Sequence, residues 1–332
     1  MQTRQIDITQ LEEKAQTLGM DLPIEQTHEW ASYQETINGR TPWGCVELTD
    51  DGGQTLALVS FIDFETHGYH YLRSEHGPVW VGEPDPQTEE EGLKAIVEYV
   101  RKADRKVVFL RLCVKAELDI TRPTLSTIPY NQTVIMDTTG DDEEILSKLK
   151  KRGRRDVRKA LRESPASYAD ETEQAYESFA EYYDVMIETA ERDGFTPAPQ
   201  SDYENMIHLL GKDHCRVFAG RVDGKVVTWT IATISGKHAV RYYGASRSDV
   251  PNRNFVTDGL IYFEACTLSK QGIETYDMMG IGNDFSPKLK TLNTFKTKFS
   301  NEVTDVAPDR DVPIRGTFYS ALVTARKALK RG

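Results

Sequence analysis

Cysteine is scarce in this 332-residue chain. Cys45, Cys113, Cys215 and Cys266 are scattered through apolar segments, with no CxxC pair and no metal-ligand spacing. They read as buried thiols, so neither a disulfide framework nor a bound metal is expected. Long apolar runs are lacking too. No stretch approaches the roughly 18 residues that would cross a bilayer, and no apolar segment of secretory type opens the sequence. A cytoplasmic monomer is expected. Positive charge is in deficit: 41 Lys and Arg against 52 Asp and Glu leave a net charge of −11, which argues against a general nucleic-acid coat protein. The signatures of covalent and metal chemistry are also missing. There is no Ser-His-Asp order, Walker loop, HExxH or Rossmann glycine triplet, and the seven histidines do not cluster. What remains is chemistry by positioned charge.

The residues that are present describe an ordinary globular chain, 39% hydrophobic and 28% charged, long enough for two domains with cores. Periodicity predicts helices over 6–20, from Thr27 onward, and over 88–103; Trp30 and Tyr33, three apart, share a core face. Strands are expected at 43–49, 54–62, 69–72, 105–114 and 133–137. A helix over 171–192 carries Tyr176, Phe179, Tyr182, Tyr183 and Met186 as a core stripe, and a further helix covers 201–210. Beyond a polar loop at 247–256, Thr257 is expected to cap a helix with Asp258 near its N-terminus, and Gly272 to end it. Phe295-Lys-Thr-Lys-Phe299 reads as a strand with Phe295, Thr297 and Phe299 on one face and Lys296 and Lys298 on the other. The tail, 317–331, alternates aromatic and aliphatic positions, with Arg326, Lys327, Lys330 and Arg331 in its last turns; basic residues at a helix C-terminus need no function to explain them, and a weak contact with an anionic membrane is the alternative.

Two patterns stand out. The first is a repeat. Residues 45–60 and 215–232 both read as strand, Asp-Gly turn, strand, and each is followed by another strand and a small-residue turn. Gly92-Leu93 and Gly259-Leu260 are then expected to open a helix in each copy, 167 positions apart. Hairpins followed by a helix and a strand, twice, suggest two copies of one α/β unit. The second is a charge run. From Lys148 to Arg162, nine of fifteen residues are basic and only Asp156 is acidic, on an amphipathic helix. In an acidic protein such a face suits contact with a polyanion, an ordinary solvated face being the alternative. Gly153 within it costs about 1 kcal/mol relative to alanine.

A hairpin–helix–strand unit resembles the GNAT acyltransferase fold, which orients an acyl donor beside an amine. The ordered set is more specific. Trp30, the Gly77-Pro78 turn, the basic helix opening the second copy, Tyr242-Tyr-Gly-Ala-Ser246, Tyr276-Asp-Met-Met-Gly-Ile281 and Phe295-Lys296 near the end together resemble the FemABX family over nearly the whole chain. These are non-ribosomal aminoacyl transferases that build peptidoglycan cross-bridges. The resemblance implies an α/β (α+β) fold of two tandem GNAT-like domains, one from 1–138 plus 312–332 and one from 139–311. The inserted helical arm of some members is absent, since only about eight residues separate the basic helix from the next.

It implies transfer of an amino acid from aminoacyl-tRNA, a co-substrate rather than a cofactor, to a side-chain amine of a peptidoglycan precursor. Lipid II is favoured over the UDP-MurNAc-pentapeptide, because Ser32, Tyr33 and Gln34 stand where some members carry a lysine for the diphosphate. Lys296, with Phe295, falls on the family's Phe-Lys position at the acyl-transfer site. Asp277 is a candidate proton acceptor by position, and Arg241, Tyr242 and Tyr243 are placed to line the cleft. Lys150, Lys151, Arg154, Arg155 and Arg158 would hold tRNA phosphates. Two alternatives stay open: a coenzyme A-dependent N-acetyltransferase, and a non-catalytic RNA- or membrane-binding module.

Overall fold

The computed structural model describes residues 1–250 and 253–329. Elements in the first part of the chain are β1 (Gln2–Ile6), α1 (Ile8–Thr17), α2 (His28–Glu35), β2 (Arg40–Thr49), β3 (Thr55–Thr66), β4 (Tyr69–Arg73), the short β5 (Val79–Trp80), α3 (Pro86–Ala103) and β6 (Val107–Cys113). Local chemistry starts each helix. Asp7 and Gln10 form a reciprocal capping box on α1, Thr27 caps α2, and Asp85 caps α3 just before Pro86.

Next come β7 (Gln132–Asp137), α4 (Asp142–Lys148), α5 (Lys151–Glu163), β8 (Ser167–Asp170), α6 (Thr172–Glu177), α7 (Ala180–Asp193), α8 (Gln200–His214), β9 (Cys215–Val222), β10 (Lys225–Ser235), β11 (His238–Ser246), α9 (Arg253–Lys270), β12 (Thr275–Gly280), α10 (Lys290–Lys296) and β13 (Thr304–Asp305). The chain ends with β14 (Asp309–Pro313) and α11 (Gly316–Leu329).

The chain folds as two units: Met1–Asn131 with the described residues from Val306 onward, and Gln132–Asp305. Their sheets share one plan. The first runs β1-β2-β3-β4-β6-β14, with β5 on β3; the second runs β8-β9-β10-β11-β12-β7-β13. Each contains one parallel pair, β4/β6 or β11/β12, among antiparallel neighbours. The crossover between the parallel strands is α3 in one unit and α9 in the other. Both are 18 residues long and begin 167 positions apart, the interval of the sequence repeat. The paired glycines have a shared physical purpose. A Cβ on Gly92 would lie 2.6 Å from the Trp80 ring, and one on Gly259 would lie 2.3 Å from the Tyr168 hydroxyl, so each helix approaches a ring at its glycine. The two-unit GNAT-like α+β fold is therefore present, and α5 leads through the four-residue β8 to α6 rather than into a helical arm.

The seams differ from the expected 138/139 and 311/312. β7 pairs with β12 (Thr275 opposite Asp137), and β14 pairs with β6 (Asp309 opposite Cys113), so the units divide at 131/132 and 305/306. A seam strand is assigned by a partner far away in sequence, which no local pattern records. In the first unit β14 is fastened by Arg111 and Asp311, both wholly buried, with Nε donating at 2.7 Å and Nη2 at 3.1 Å.

Other departures are local. The helix over 171–192 breaks at Ser178, which is extended, letting the fully buried Phe179 stack on Tyr203 and meet Trp229 edge-on. Tyr176 leaves the core stripe and is 42% exposed. α9 begins at Arg253, so Thr257 and Asp258 sit within the helix rather than at its start. Of the expected 247–256 loop, Pro251 and Asn252 lie outside the described residues, as do Lys330 and Arg331 of the tail. The four cysteines are free thiols, and burial pushes Cys45 up to about 11 and Cys215 to about 12.

Gly153 has a reason that helix propensity does not give. A Cβ there would lie 2.1 Å from the carbonyl oxygen of Lys298, beside the point where the Lys150 amide donates to that oxygen at 3.2 Å. Gly153→Ala is therefore expected to destabilise the fold by about 1–3 kcal/mol through overpacking. Helix propensity alone predicts the opposite sign. Urea denaturation decides between them.

Candidate active site

The site grows from the parting of two parallel strands. β11 and β12 pair only from His238 to Val240 against Thr275 to Asp277. Past that point each strand is irregular. In β11, Ile231 of β10 faces Tyr243 while Ala232 faces Arg241, leaving Tyr242 as an extra, bulged residue. In β12 the pairing with β7 slips between Asp277 and Gly280, and Met279 adopts φ +60. A non-glycine residue held in the left-handed region costs of order 1 kcal/mol and tends to mark a functional position.

Lys296 fills this position. It is the last residue of α10, and its Nζ donates to the carbonyls of Gly280 at 2.9 Å and Met279 at 3.2 Å. Burial, together with the positive charge of Arg241, pushes its pKa down to about 8, with Asp277 pulling the other way. Arg241 is itself held from below. Its Nη2 donates to Thr230 Oγ1 at 2.8 Å, and its Nε lies 3.6 Å from Glu264 Oε2. Glu264, wholly buried on α9, also accepts from the Tyr276 hydroxyl at 2.8 Å, and burial raises its pKa despite the arginine. Tyr243 meets the rings of Tyr242 and Tyr203 edge-on, each at 5.0 Å. Asp277 accepts at Oδ1 from Thr133 Oγ1 and from the Met279 amide at 2.6 Å, so this carboxylate shapes the strand end that Lys296 reads.

Phe295–Phe299 is not a strand. The segment closes α10, which puts Phe295 and Phe299 one turn apart with rings at 5.7 Å. Phe295 thus packs on the core beside Lys298, whose Nζ is 5.4 Å from its ring centre. The two lysines part company. Lys298 is 6% exposed and forms ion pairs with Asp258 at 2.5 Å and Asp156 at 3.5 Å. Reading the run as a strand gave both lysines one face; the helical turn sends one to the strand ends and one into an acidic pair.

The basic helix also divides. Arg154 donates to the carbonyls of Leu149 and Ser147, fastening the end of α4, and Arg155 donates to Asp156 at 2.9 Å. Lys150 lies at the helix start and is half-buried. Lys151 and Arg158 are exposed, and among the described residues neither has an acidic partner within 4.0 Å. The cluster sequence reasoning missed is Glu264–Arg241–Thr230–Tyr276. Its one signal was a lone acid inside the apolar run Ile261–Cys266. Elsewhere, Glu12, His28 and Glu29 of the first unit bring potential metal-donor atoms within 4.8 Å, and His28 Nδ1 is 3.2 Å from each carboxylate, an ordinary ion pair when protonated.

Residues 147–286 match the acetyltransferase (GNAT) domain family, so the second unit has an acyltransferase fold. The fold of the chain is FemABX-like. The crystal structure of FemX superposes with a TM-score of 0.73 at 16% identity, covering 97% of this chain and 99% of that one. The structure of L-PGS from Bacillus licheniformis has a TM-score of 0.54 at 13% identity, covering 98% and 97%. A tandem GNAT protein from the clavulanic acid biosynthesis pathway has a TM-score of 0.54 at 11% identity, covering 94% and 98%. At these identities the likeness establishes fold. No curated protein matches in sequence. Among the described residues no helix is long and apolar enough to cross a membrane.

Proposed function

We propose that this protein transfers an amino acid from aminoacyl-tRNA to a side-chain amine on the stem peptide of a peptidoglycan precursor, with lipid II favoured over the UDP-linked pentapeptide. The observation that carries the reading is the Lys296–Arg241 cation pair where β11 and β12 part, in the unit that also bears the basic helix. An aminoacyl ester is already activated, so its aminolysis needs proximity and a partner for the developing oxyanion. The amine attacks the ester carbonyl and the negative charge on its oxygen is met by the Lys296 ammonium. Collapse of the adduct breaks the bond to the tRNA ribose oxygen, which takes up a proton as the amine loses one. Asp277 lies near enough to Lys296 to act on its charge and is the carboxylate on which that proton transfer would draw. Incubation with a charged tRNA pool and lipid II, followed by mass spectrometry, tests the reading: a precursor heavier by one aminoacyl residue supports it, and unmodified lipid II in the presence of intact aminoacyl-tRNA rejects it.

The match to an acetyltransferase domain favours one other reading, a coenzyme A-dependent N-acetyltransferase. A pyrophosphate loop should run straight into a helix N-terminus, whereas residues 247–252 lie between β11 and α9. Marked thermal stabilisation by coenzyme A would favour that alternative.

The geometry selects which basic residues to test. Lys151→Glu with Arg158→Glu removes two exposed cations that have no acidic partner among the described residues, and is expected to raise KM for aminoacyl-tRNA by about 10-fold or more and lower the salt slope of tRNA binding by about 2. Acceptor KM should not move. Arg154→Glu should instead lower the melting temperature, because that guanidinium closes α4.

A further inference from the structure

A groove in the first unit lies between α11 and the connection that follows Thr121. Its volume is about 310 Å³, its wall is formed by Leu125, Tyr319 and Val323, and Arg122, Arg326 and Lys327 stand around it. The floor is rigid: the Tyr319 hydroxyl donates to Asp311 Oδ2 at 3.0 Å, and Asp311 is itself locked to Arg111. The apolar surface continues outward. Phe318, one residue along the helix, is 38% exposed with the Arg315 guanidinium 5.2 Å from its ring centre, and Ile128 in the facing connection is 51% exposed.

Charge here runs against the rest of the molecule. The protein carries −11 overall, yet from Arg315 to the end of the sequence there are five basic residues and no acid. Arg122 donates to the carbonyls of Asp119 and Thr121. Among the described residues Arg326 and Lys327 have no acidic partner within 4.0 Å. An apolar surface rimmed by uncompensated cations on one amphipathic helix matches the boundary between acyl chains and anionic headgroups.

We propose that this face, α11 with the Arg122–Ile128 connection, docks the protein on an anionic bilayer, with the aromatic and aliphatic side chains entering the headgroup boundary and Arg315, Arg326 and Lys327 meeting lipid phosphates. The inference concerns the first unit alone and does not depend on the transfer chemistry. Flotation of the full chain with phosphatidylcholine vesicles, with and without phosphatidylglycerol, tests it. Binding is expected only with phosphatidylglycerol, falling as salt rises, and Arg326→Glu with Lys327→Glu should weaken it by about 10-fold or more, since each cation near the surface is worth about fivefold. Among the described residues neither side chain has an ion-pair partner, so an unchanged melting temperature confirms that the double variant is folded. Equal flotation with both vesicle types, no flotation, or an undiminished variant overturns the proposal. So does a concentration-dependent dimer that the double variant abolishes while vesicles capture neither form.

Discussion

Lys296→Met is expected to lower aminoacyl transfer by about 100- to 1000-fold, the usual loss when one oxyanion donor is removed, while the melting temperature at neutral pH stays constant or rises. The two halves have one cause. Burial lowers the pKa of Lys296 to about 8, so holding it charged in the folded state is unfavourable, and methionine of similar length removes that cost. Between pH 8 and the ordinary lysine range the unfolded chain binds a proton that the folded chain has released. The stability contribution of Lys296 therefore rises with pH across that window, and below it the burial penalty applies in full.

Activity should show the reverse. A charged Lys296 is required, so transfer falls as pH rises through about 8. Lys296→Arg, which keeps its charge, should lose that alkaline limb even if its rate is lower. Arg241→Met should move the limb to higher pH, because the arginine's charge is one cause of the depression. Single-turnover transfer measured against pH, with thermal melts on the same samples, separates these outcomes. A Lys296→Met protein that transfers at the wild-type rate excludes this lysine from the chemistry.

How much of this was legible depends on the range over which each feature is decided. The start of α2 was visible because a cap is a matter of three or four residues, and Thr27 announces it. The duplication was visible because two glycines 167 positions apart answer to the same tight helix approach. The Phe295–Phe299 run misled because five residues alternating aromatic and cationic satisfy a period of two, while two aromatics four apart also satisfy one helical turn. Packing chose the turn, with both rings on the same core. Thr257-Asp258 has the look of a helix start, yet the helix is already underway there, and Asp258 is tolerated within it because a lysine forty positions on reaches it. The same limit hid the seam strands and the Glu264 network. Their partners come from other elements, and no alignment of local pattern brings them together.

Lys298→Met should do what Lys296→Met does not. Asp258 is fully buried inside α9, and burial already raises its pKa with Lys298 opposing the shift. Removing the ammonium leaves one carboxylate in the core and takes a partner from Asp156, which ties α5 to the same point. Breaking one side of a buried pair costs about 3–5 kcal/mol, chiefly through the uncompensated charge that remains. Denaturant unfolding should register that loss, and transfer by the fraction that stays folded should be near normal. Asp258→Asn in the same chain removes the stranded charge, so the double variant should recover most of the stability, a coupling that a double-mutant cycle measures directly. Recovery would place Lys298 in the architecture that joins α5 and α9, leaving Lys296 as the cation available to a reacting carbonyl. If the double variant were as unstable as the sum of its parts, the aspartate would have a partner other than this lysine, and the division of labour between the two residues would have to be redrawn.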